Sequence, residues 1–421
     1  MSRFAAAHAT HPDWRSALSL VLAQLDATAP AQPTIGWCYL ADHHAPHAEH
    51  LLDALRQRWP GCAWVGAVGV GVCASGVEYI DEPAIVVMVG DLPREQFRVW
   101  SGLRPLADDE GFVAHTAQVH ADPATPELAG LLGELSERVA SGYLFGGLAS
   151  SRTRTLTLAC DEHEHGPGEG IWEGGLSGVA FARGAALISR VSQGCQPIGP
   201  SRHITESERN VAFALDGQPA LDCLLADLGT DETHPREALS MMRQTLVGLS
   251  EPGDTALERP GQFGRDVRVR HLVGIDPGRR GVAIADIAEP GWQLAFCRRD
   301  ADAARRDLMR IAAEIRSELE PEELPYAVAA ASSPARAAAA RTPAEHEVAP
   351  TWPGARRIVG ALYASCTGRG GPHFGAPSAE LQILRHALGD VPLAGFFAAG
   401  EIGHRHLYGY TGVLTVFTEA A

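Results

Sequence analysis

The stretch Val191–Pro200, VSQGCQPIGP, joins an apolar strand to a turn whose shape the residues largely dictate. Ala185, Leu187 and Val191 suit the end of a buried strand. Gly194 allows a positive φ, Pro197 holds φ near its ring value, and Gly199-Pro200 imposes a second turn. Cys195 is therefore expected in a stiff elbow that presents a thiol and several backbone N–H groups, Gln196 among the flanking residues. The same setting also suits a buried cysteine acting as a small hydrophobe.

Upstream of this elbow, 153–160, 176–181 and 185–191 read as successive strands with glycine turns and little room for helices, which predicts an antiparallel sheet. Further upstream, helices over 14–26, 47–59 and 126–141 alternate with strands over 34–40, 63–68, 84–89 and 113–119, an α/β pattern. Downstream, strands over 267–275, 282–284 and 293–296 precede a helix over 302–319, and strand signals return at 358–366, 393–398 and 412–417. The fold class expected is α/β (mixed α+β), two modules each with a mixed sheet covered by helices. The segments are an N-terminal helix over 1–32, one module over 33–217 and another over 218–421. Clustered Ala, Pro and Glu predict a mobile loop at 320–353.

The chain has 421 residues, 45% of them apolar, and carries 35 basic against 51 acidic side chains for a net charge of −16. Such a balance repels phosphate backbones and anionic membrane surfaces, so neither nucleic acid nor a membrane is expected as a partner. The sequence contains no lysine. Schiff-base chemistry, pyridoxal phosphate attachment, the phosphate-loop lysine and the kinase lysine are thereby excluded, each needing a primary amine. The N-terminus has no signal-like apolar core and no apolar run reaches membrane-spanning length, which predicts a cytoplasmic location. The eight cysteines follow no CxxC or disulfide spacing, so reduced thiols are expected.

Several constellations could carry chemistry. Gly69-Val70-Gly71-Val72-Cys73-Ala74 matches a dinucleotide fingerprint on paper, but Val77–Pro83 is too short for the crossover helix of a parallel unit, and a glycine turn making a close backbone approach is the better reading. The histidines at 43, 44, 47 and 50 and the Asp161–His165 run crowd metal-ligand types in polar segments and read as surface histidines. Ser365-Cys366-Thr367-Gly368-Arg369-Gly370-Gly371 forms a second elbow in which N–H groups and a guanidinium make an anion-binding concavity. Glu401, between Gly400 and Gly403, could accept from a ligand ammonium or clamp Arg369. Cys366 beside Arg369 could be a nucleophile, although no base is placed locally.

VSQGCQPIGP with the following ITESERNVAFALDGQPAL, the FGGLAS at 145–150, and SCTGRGG, GFFAAGEIG and GYTG together resemble the FIST family, named for F-box and intracellular signal transduction proteins. The resemblance runs from about Thr34 to Phe417 in the family's order. It implies an intracellular sensory or signal-transduction module that binds a small ligand, an amino-acid-like molecule or haem. In some bacterial members haem binding reports nitric oxide to a histidine kinase, so a separate signalling protein is an expected partner. Haem would need an iron-ligating histidine, for which His203, His373, His404 and His406 are candidates. Ligand contacts are expected from Gly194, Cys195, Gln196, Cys366, Gly368, Arg369, Gly370 and Glu401, lining one cleft between the two modules. The alternative is a cysteine-dependent enzyme acting on a small polar substrate through Cys366 or Cys195.

Overall fold

Phe4–Thr10, an alanine-rich heptapeptide assigned from sequence to an N-terminal helix, is a strand, β1, paired antiparallel along its whole length with 84–90. Tertiary pairing here overrides the helix preference of alanine. The computed structural model describes residues 3–106, 111–161, 169–231, 233–252, 257–259, 262–263, 267–320 and 355–421. From residue 321 onward the loop expected at 320–353 lies outside the described residues, as do residues 162–165 of the acidic-histidine run.

The chain passes three times through one pattern. The first pass is β1, α1 (Trp14–Thr28), β2 (Ile35–Ala41), α2 (Ala48–Arg58), β3 (Ala63–Gly69), β4 (Gly71–Ala74), β5 (Val77–Ile80) and β6 (Ala84–Gly90). The second is β7 (Phe97–Ser101), β8 (Thr116–Ala121), α3 (Leu128–Glu137), β9 (Tyr143–Leu148), β10 (Thr157–Cys160), β11 (Ile171–Trp172) and β12 (Leu176–Phe181). The third opens with β13 (Leu187–Ser192) and is then interrupted by an inserted unit. That unit comprises β14 (Cys195–Pro197), β15 (Arg202–Glu208), β16 (Val211–Leu215), β17 (Gln218–Pro219), α4 (Ala220–Leu228), α5 (Pro235–Gln244), β18 (Leu246–Ser250), β19 (Leu257–Arg259), β20 (Gln262–Phe263), β21 (Arg268–Asp276), β22 (Gly281–Ile284) and β23 (Gln293–Arg299). The third pass resumes with α6 (Ala301–Leu319), β24 (Arg356–Cys366), α7 (Ala379–Leu388), β25 (Leu393–Ala398), β26 (Glu401–His404), β27 (His406–Tyr408) and β28 (Gly412–Ala420).

Three mixed six-stranded sheets result, with orders β1-β6-β2-β3-β10-β11, β7-β12-β8-β9-β26-β27 and β13-β28-β24-β25-β4-β5. They are topologically equivalent. Each has one parallel pair at its centre, β2–β3, β8–β9 and β24–β25, joined through one helix as a parallel crossover requires. Each also borrows a hairpin, because the chain leaving β3 enters the third sheet as β4, that leaving β9 enters the first as β10, and that leaving β25 enters the second as β26. The fingerprint-like glycines at 69 and 71 serve this crossing between sheets: a Cβ on Gly69 would stand 2.5 Å from the Gly71 carbonyl oxygen. No helix follows them before β6.

The inner faces of all three sheets share one core. Phe4 stacks on Phe417 at 4.8 Å, Trp37 lies 5.3 Å from Phe417, and Tyr39 stacks on Phe396 at 5.1 Å. Their polar tips are satisfied internally: Trp37 Nε1 donates to Gln118 Oε1 at 2.7 Å, and Gln118 Nε2 donates to the Tyr39 hydroxyl at 2.9 Å. Outer faces are covered by α1 and α2 on the first sheet, α3 on the second, and α6 and α7 on the third. Side-chain caps start α1 at Asp13 and α6 at Asp300, whose carboxylates accept from Ser16 N at 3.0 Å and Ala303 N at 2.7 Å. In the inserted unit the order β14-β23-β15-β16-β22-β21-β18 closes on itself through a β18–β23 pairing, forming a barrel with its own core. Among the described residues no helix is long and apolar enough to cross a membrane.

Candidate functional site

The two elbows meet. Gly194 lies against Tyr410, so closely that a Cβ there would stand 2.3 Å from the Tyr410 carbonyl oxygen and 3.3 Å from Arg369 Nη1. Glycine is therefore demanded by this approach and not by φ, since Gly194 is absent from the positive-φ residues, contrary to the sequence reading. On the other side, a Cβ on Gly368 would rest 3.5 Å from the Tyr410 ring and 3.6 Å from Arg299 Nη2. Arg299 sits opposite Cys195 in the β14–β23 pair, and its Nη2 donates to the Gly368 carbonyl. One arginine thus ties the first elbow's strand partner to the second elbow. Its guanidinium also lies 5.2 Å from the Tyr410 ring centroid.

Beneath this junction is a buried polar network. Arg369, 1% exposed, places Nη2 2.8 Å from Glu380 Oε1, donates from Nε to the same oxygen at 2.8 Å, and donates from Nη1 to the Ser192 carbonyl at 3.2 Å. Glu380 also accepts from the Tyr363 hydroxyl at 2.6 Å and the Ser365 hydroxyl at 2.9 Å. Burial works against the Arg369 charge, but Glu380, Tyr363 and Glu401 around it more than reverse that, and its pKa is raised. Behind Glu380, Glu78 accepts from the Glu380 and Gly371 N–H groups at 3.2 and 3.0 Å.

Glu401 is fully buried at the start of β26, where Oε2 accepts from the Thr411 N–H at 3.1 Å and its hydroxyl at 2.7 Å. Burial carries its carboxyl up to about 8, with the Thr411 hydrogen bonds, Arg369 and Cys366 pulling the other way. Burial first, then the Glu401 charge, push the Cys366 thiol up to about 12. A thiol held neutral in this way is a poor nucleophile, and burial rather than Arg369 dominates the setting of Cys366. Cys195 is buried with Leu246, Val267, Val269, Ala295 and Cys297, Tyr410 packing against the group.

A cavity of about 800 Å³ opens over the outer side of the junction, between the barrel and the Tyr410 turn. Its apolar wall includes Ile198, Leu228, Met241 and Leu246, and its polar lining includes Gln196, Thr245, His271, Tyr410 and three arginines, Arg243, Arg298 and Arg299. The Tyr410 hydroxyl lies 2.9 Å from His271 Nε2. Tyr410 has φ 62, a left-handed conformation that a tyrosine adopts at a cost, and the residue after it is the Thr411 that holds Glu401.

Of the ligand contacts expected from sequence, Gln196 lines this cavity. Gly194 and Gly368 flank Tyr410. Cys195, Cys366, Arg369 and Glu401 are buried, and Gly370 is packed where a Cβ would meet Ile80 and Phe397. Arg369 is thus clamped by Glu380, and Glu401, expected to clamp it or meet a ligand, is held by Thr411. Tyr410, His271 and the Arg298-Arg299 pair were passed over in the sequence, where only the GYTG motif and two adjacent arginines flag them.

The four haem-ligand candidates are dispersed. His203 is exposed, 3.4 Å from Asp216; His373 packs edge-on to Phe374 at 5.5 Å; His404 lies edge-on to Tyr143 at 4.9 Å. His406 Nδ1 is 3.2 Å from Arg268 Nη1, and burial lowers its pKa to about 4. None lines the cavity at Tyr410, and the hollow beside His404 measures about 200 Å³, below the roughly 300 Å³ at which pockets for drug-sized ligands begin. These residues do not fit a haem. Of the four clustered histidines expected at the surface, His43, His47 and His50 are exposed, the last two stacking on Trp14 at 6.1 and 5.9 Å, whereas His44 is fully buried. No group of three or more metal-ligating side chains occurs among the described residues.

Comparison with known proteins gives a match to the FIST N domain over residues 34–218 and to the FIST C domain over residues 220–404. An uncharacterized protein of Mycobacterium tuberculosis is 30% identical over 426 residues, covering 97% of this chain and 98% of its own. An uncharacterized protein of Mycobacterium bovis is 28% identical over 423 residues, covering 97% of each.

Proposed function

Because this chain belongs to the FIST family, whose domains are associated with signal transduction and sensing, we propose that it is an intracellular small-molecule sensor. Its ligand seats in the cavity over Tyr410. The observation that carries this reading is the convergence of the two elbows, from β13–β14 and from the end of β24, on Tyr410, a residue that lines the cavity. A concave, partly apolar site with a few convergent polar groups, at a seam between structural units, is where small ligands bind. Tyr410 supplies the link to the interior. Its ring faces the cavity, its carbonyl abuts Gly194, and Thr411 after it holds the buried Glu401, so a ligand that moves the ring acts on both elbows and on that carboxyl.

Calorimetric titration with amino acids and small organic acids tests the reading. Tyr410→Ala is expected to weaken the binding of any ligand found by about tenfold or more, since an aromatic anchor at the centre of a site carries an outsized share of affinity. Unchanged affinity in that variant, with the fold intact by circular dichroism, would place the ligand elsewhere and overturn the assignment.

A further inference from the structure

We propose that the cavity over Tyr410 is an anion site, taking a small molecule with a carboxylate or phosphate head and a partly apolar body; this rests on the reading of the cavity as the ligand site. Charge bookkeeping within the barrel leads there. Arg202, Arg268, Arg270, Arg279 and Arg280 of the inserted unit all face carboxylates, Asp227, Glu251, Asp286, Glu206 with Glu208, and Asp222 respectively. The side chains of Arg243 and Arg298 line the cavity and, like those of Arg209 and Arg236 elsewhere on the unit's surface, have neither a hydrogen-bond nor an ion-pair partner among the described residues. Arg299, the third, gives one N–H to the Gly368 carbonyl and lies against the Tyr410 ring.

The one acidic residue in the lining does not offset them. Asp227 accepts from Arg202 Nη1 and Nη2 at 2.7 Å each, so both its oxygens are engaged outside the cavity's own arginines. Three arginines therefore line one hollow of a chain whose net charge is −16. A planar guanidinium recognises carboxylate or phosphate through paired N–H donors, which gives geometry as well as charge. Thr245, Gln196 and the Tyr410 hydroxyl add neutral hydrogen-bonding groups, and Ile198, Leu228, Met241 and Leu246 supply the wall for an apolar body.

Four matched probes test the proposal on the full chain: benzoate, phenyl phosphate, benzyl alcohol and benzylamine, titrated calorimetrically at millimolar concentrations and two salt concentrations. Benzoate and phenyl phosphate are expected to bind, more weakly at the higher salt, and Arg298→Gln and Arg243→Gln are each expected to weaken them by about tenfold, the scale of one charge-assisted hydrogen bond. Both substituted side chains are exposed and unpaired, so the variants should unfold at the parent's midpoint. Benzyl alcohol or benzylamine binding as tightly as benzoate, or anion binding indifferent to both substitutions, overturns the anion assignment and leaves the cavity reading standing. If none of the four binds, both fall.

Discussion

Glu380→Ala is expected to lower folding stability by about 3–5 kcal/mol, the usual consequence of stranding a buried charge. Arg369 is fully buried and cannot reach water, and its remaining acceptors are the Ser192 carbonyl and hydroxyl at 3.2 and 3.3 Å. Loss of Glu380 also leaves the Tyr363 and Ser365 hydroxyls without their acceptor. Urea denaturation followed by circular dichroism reads the change as a shift in midpoint. The double substitution Arg369→Met with Glu380→Leu removes both charges and should recover much of the loss, because an apolar pair of similar volume is often no worse than a buried ion pair. A single variant with the parent's midpoint would mean that Arg369 reaches solvent, which the packing of the elbows forbids.

Expressed apart, residues 1–219 and 220–421 are expected not to fold. The break falls at the junction of the two family domains, but the sheets do not respect it. The third sheet needs β4, β5 and β13 from the first half and β24, β25 and β28 from the second, and the edge of the second sheet is β26 and β27. Phe396 and Phe417 from the second half complete the aromatic core around Phe4, Trp37 and Tyr39. Removing one such side chain from a core costs about 3–5 kcal/mol, and a whole sheet wall goes with it. Neither fragment alone should show near-ultraviolet dichroism or a cooperative transition, whereas co-expression should restore both. A first-half fragment that unfolds cooperatively by itself would contradict the shared-strand architecture.

How much of this was legible depended on where each element finds its partners. Ile35–Ala41, Ala63–Gly69, Ala84–Gly90 and Leu393–Ala398 were readable because burial along the strand leaves an uninterrupted apolar run. Phe4–Thr10, the short β4 and β5 and the helix Ala379–Leu388 were missed. The first looks helical, the pair owes its state to β25, more than three hundred residues away, and the last hides behind a Gly-Pro-rich run. The threefold repeat left no trace, since its three crossing points at 69–71, 148–157 and 398–401 share only small residues, a requirement of close packing that many turns would meet.

For the site, composition marked the two elbows correctly as places where backbone approaches something. It could not say what, because a charged residue next to glycines reads the same whether it faces a ligand or a buried partner. Glu380, the partner that settles the role of Arg369, sits on the helix that was not anticipated. Arg243 and Arg298 matter through having no partner, and that is a property of the folded chain alone.

The packing of the elbows over the interior is read most directly from the ionisation of Glu401, followed by carbon-detected magnetic resonance on the full chain with Glu401→Gln to assign the signal. Its carboxyl, ordinarily near 4.5, is expected to keep its proton up to about pH 8. Between those values the folded state binds a proton that the unfolded chain has lost, so this group's share of the stability is present below pH 4.5 and falls away as pH rises towards 8, by up to about 1.4 kcal/mol per pH unit. The parent should therefore lose stability relative to Glu401→Gln across that window. A midpoint near 4.5, with parallel stability curves for the two proteins, would mean that water reaches Glu401 and that the elbows do not close over it.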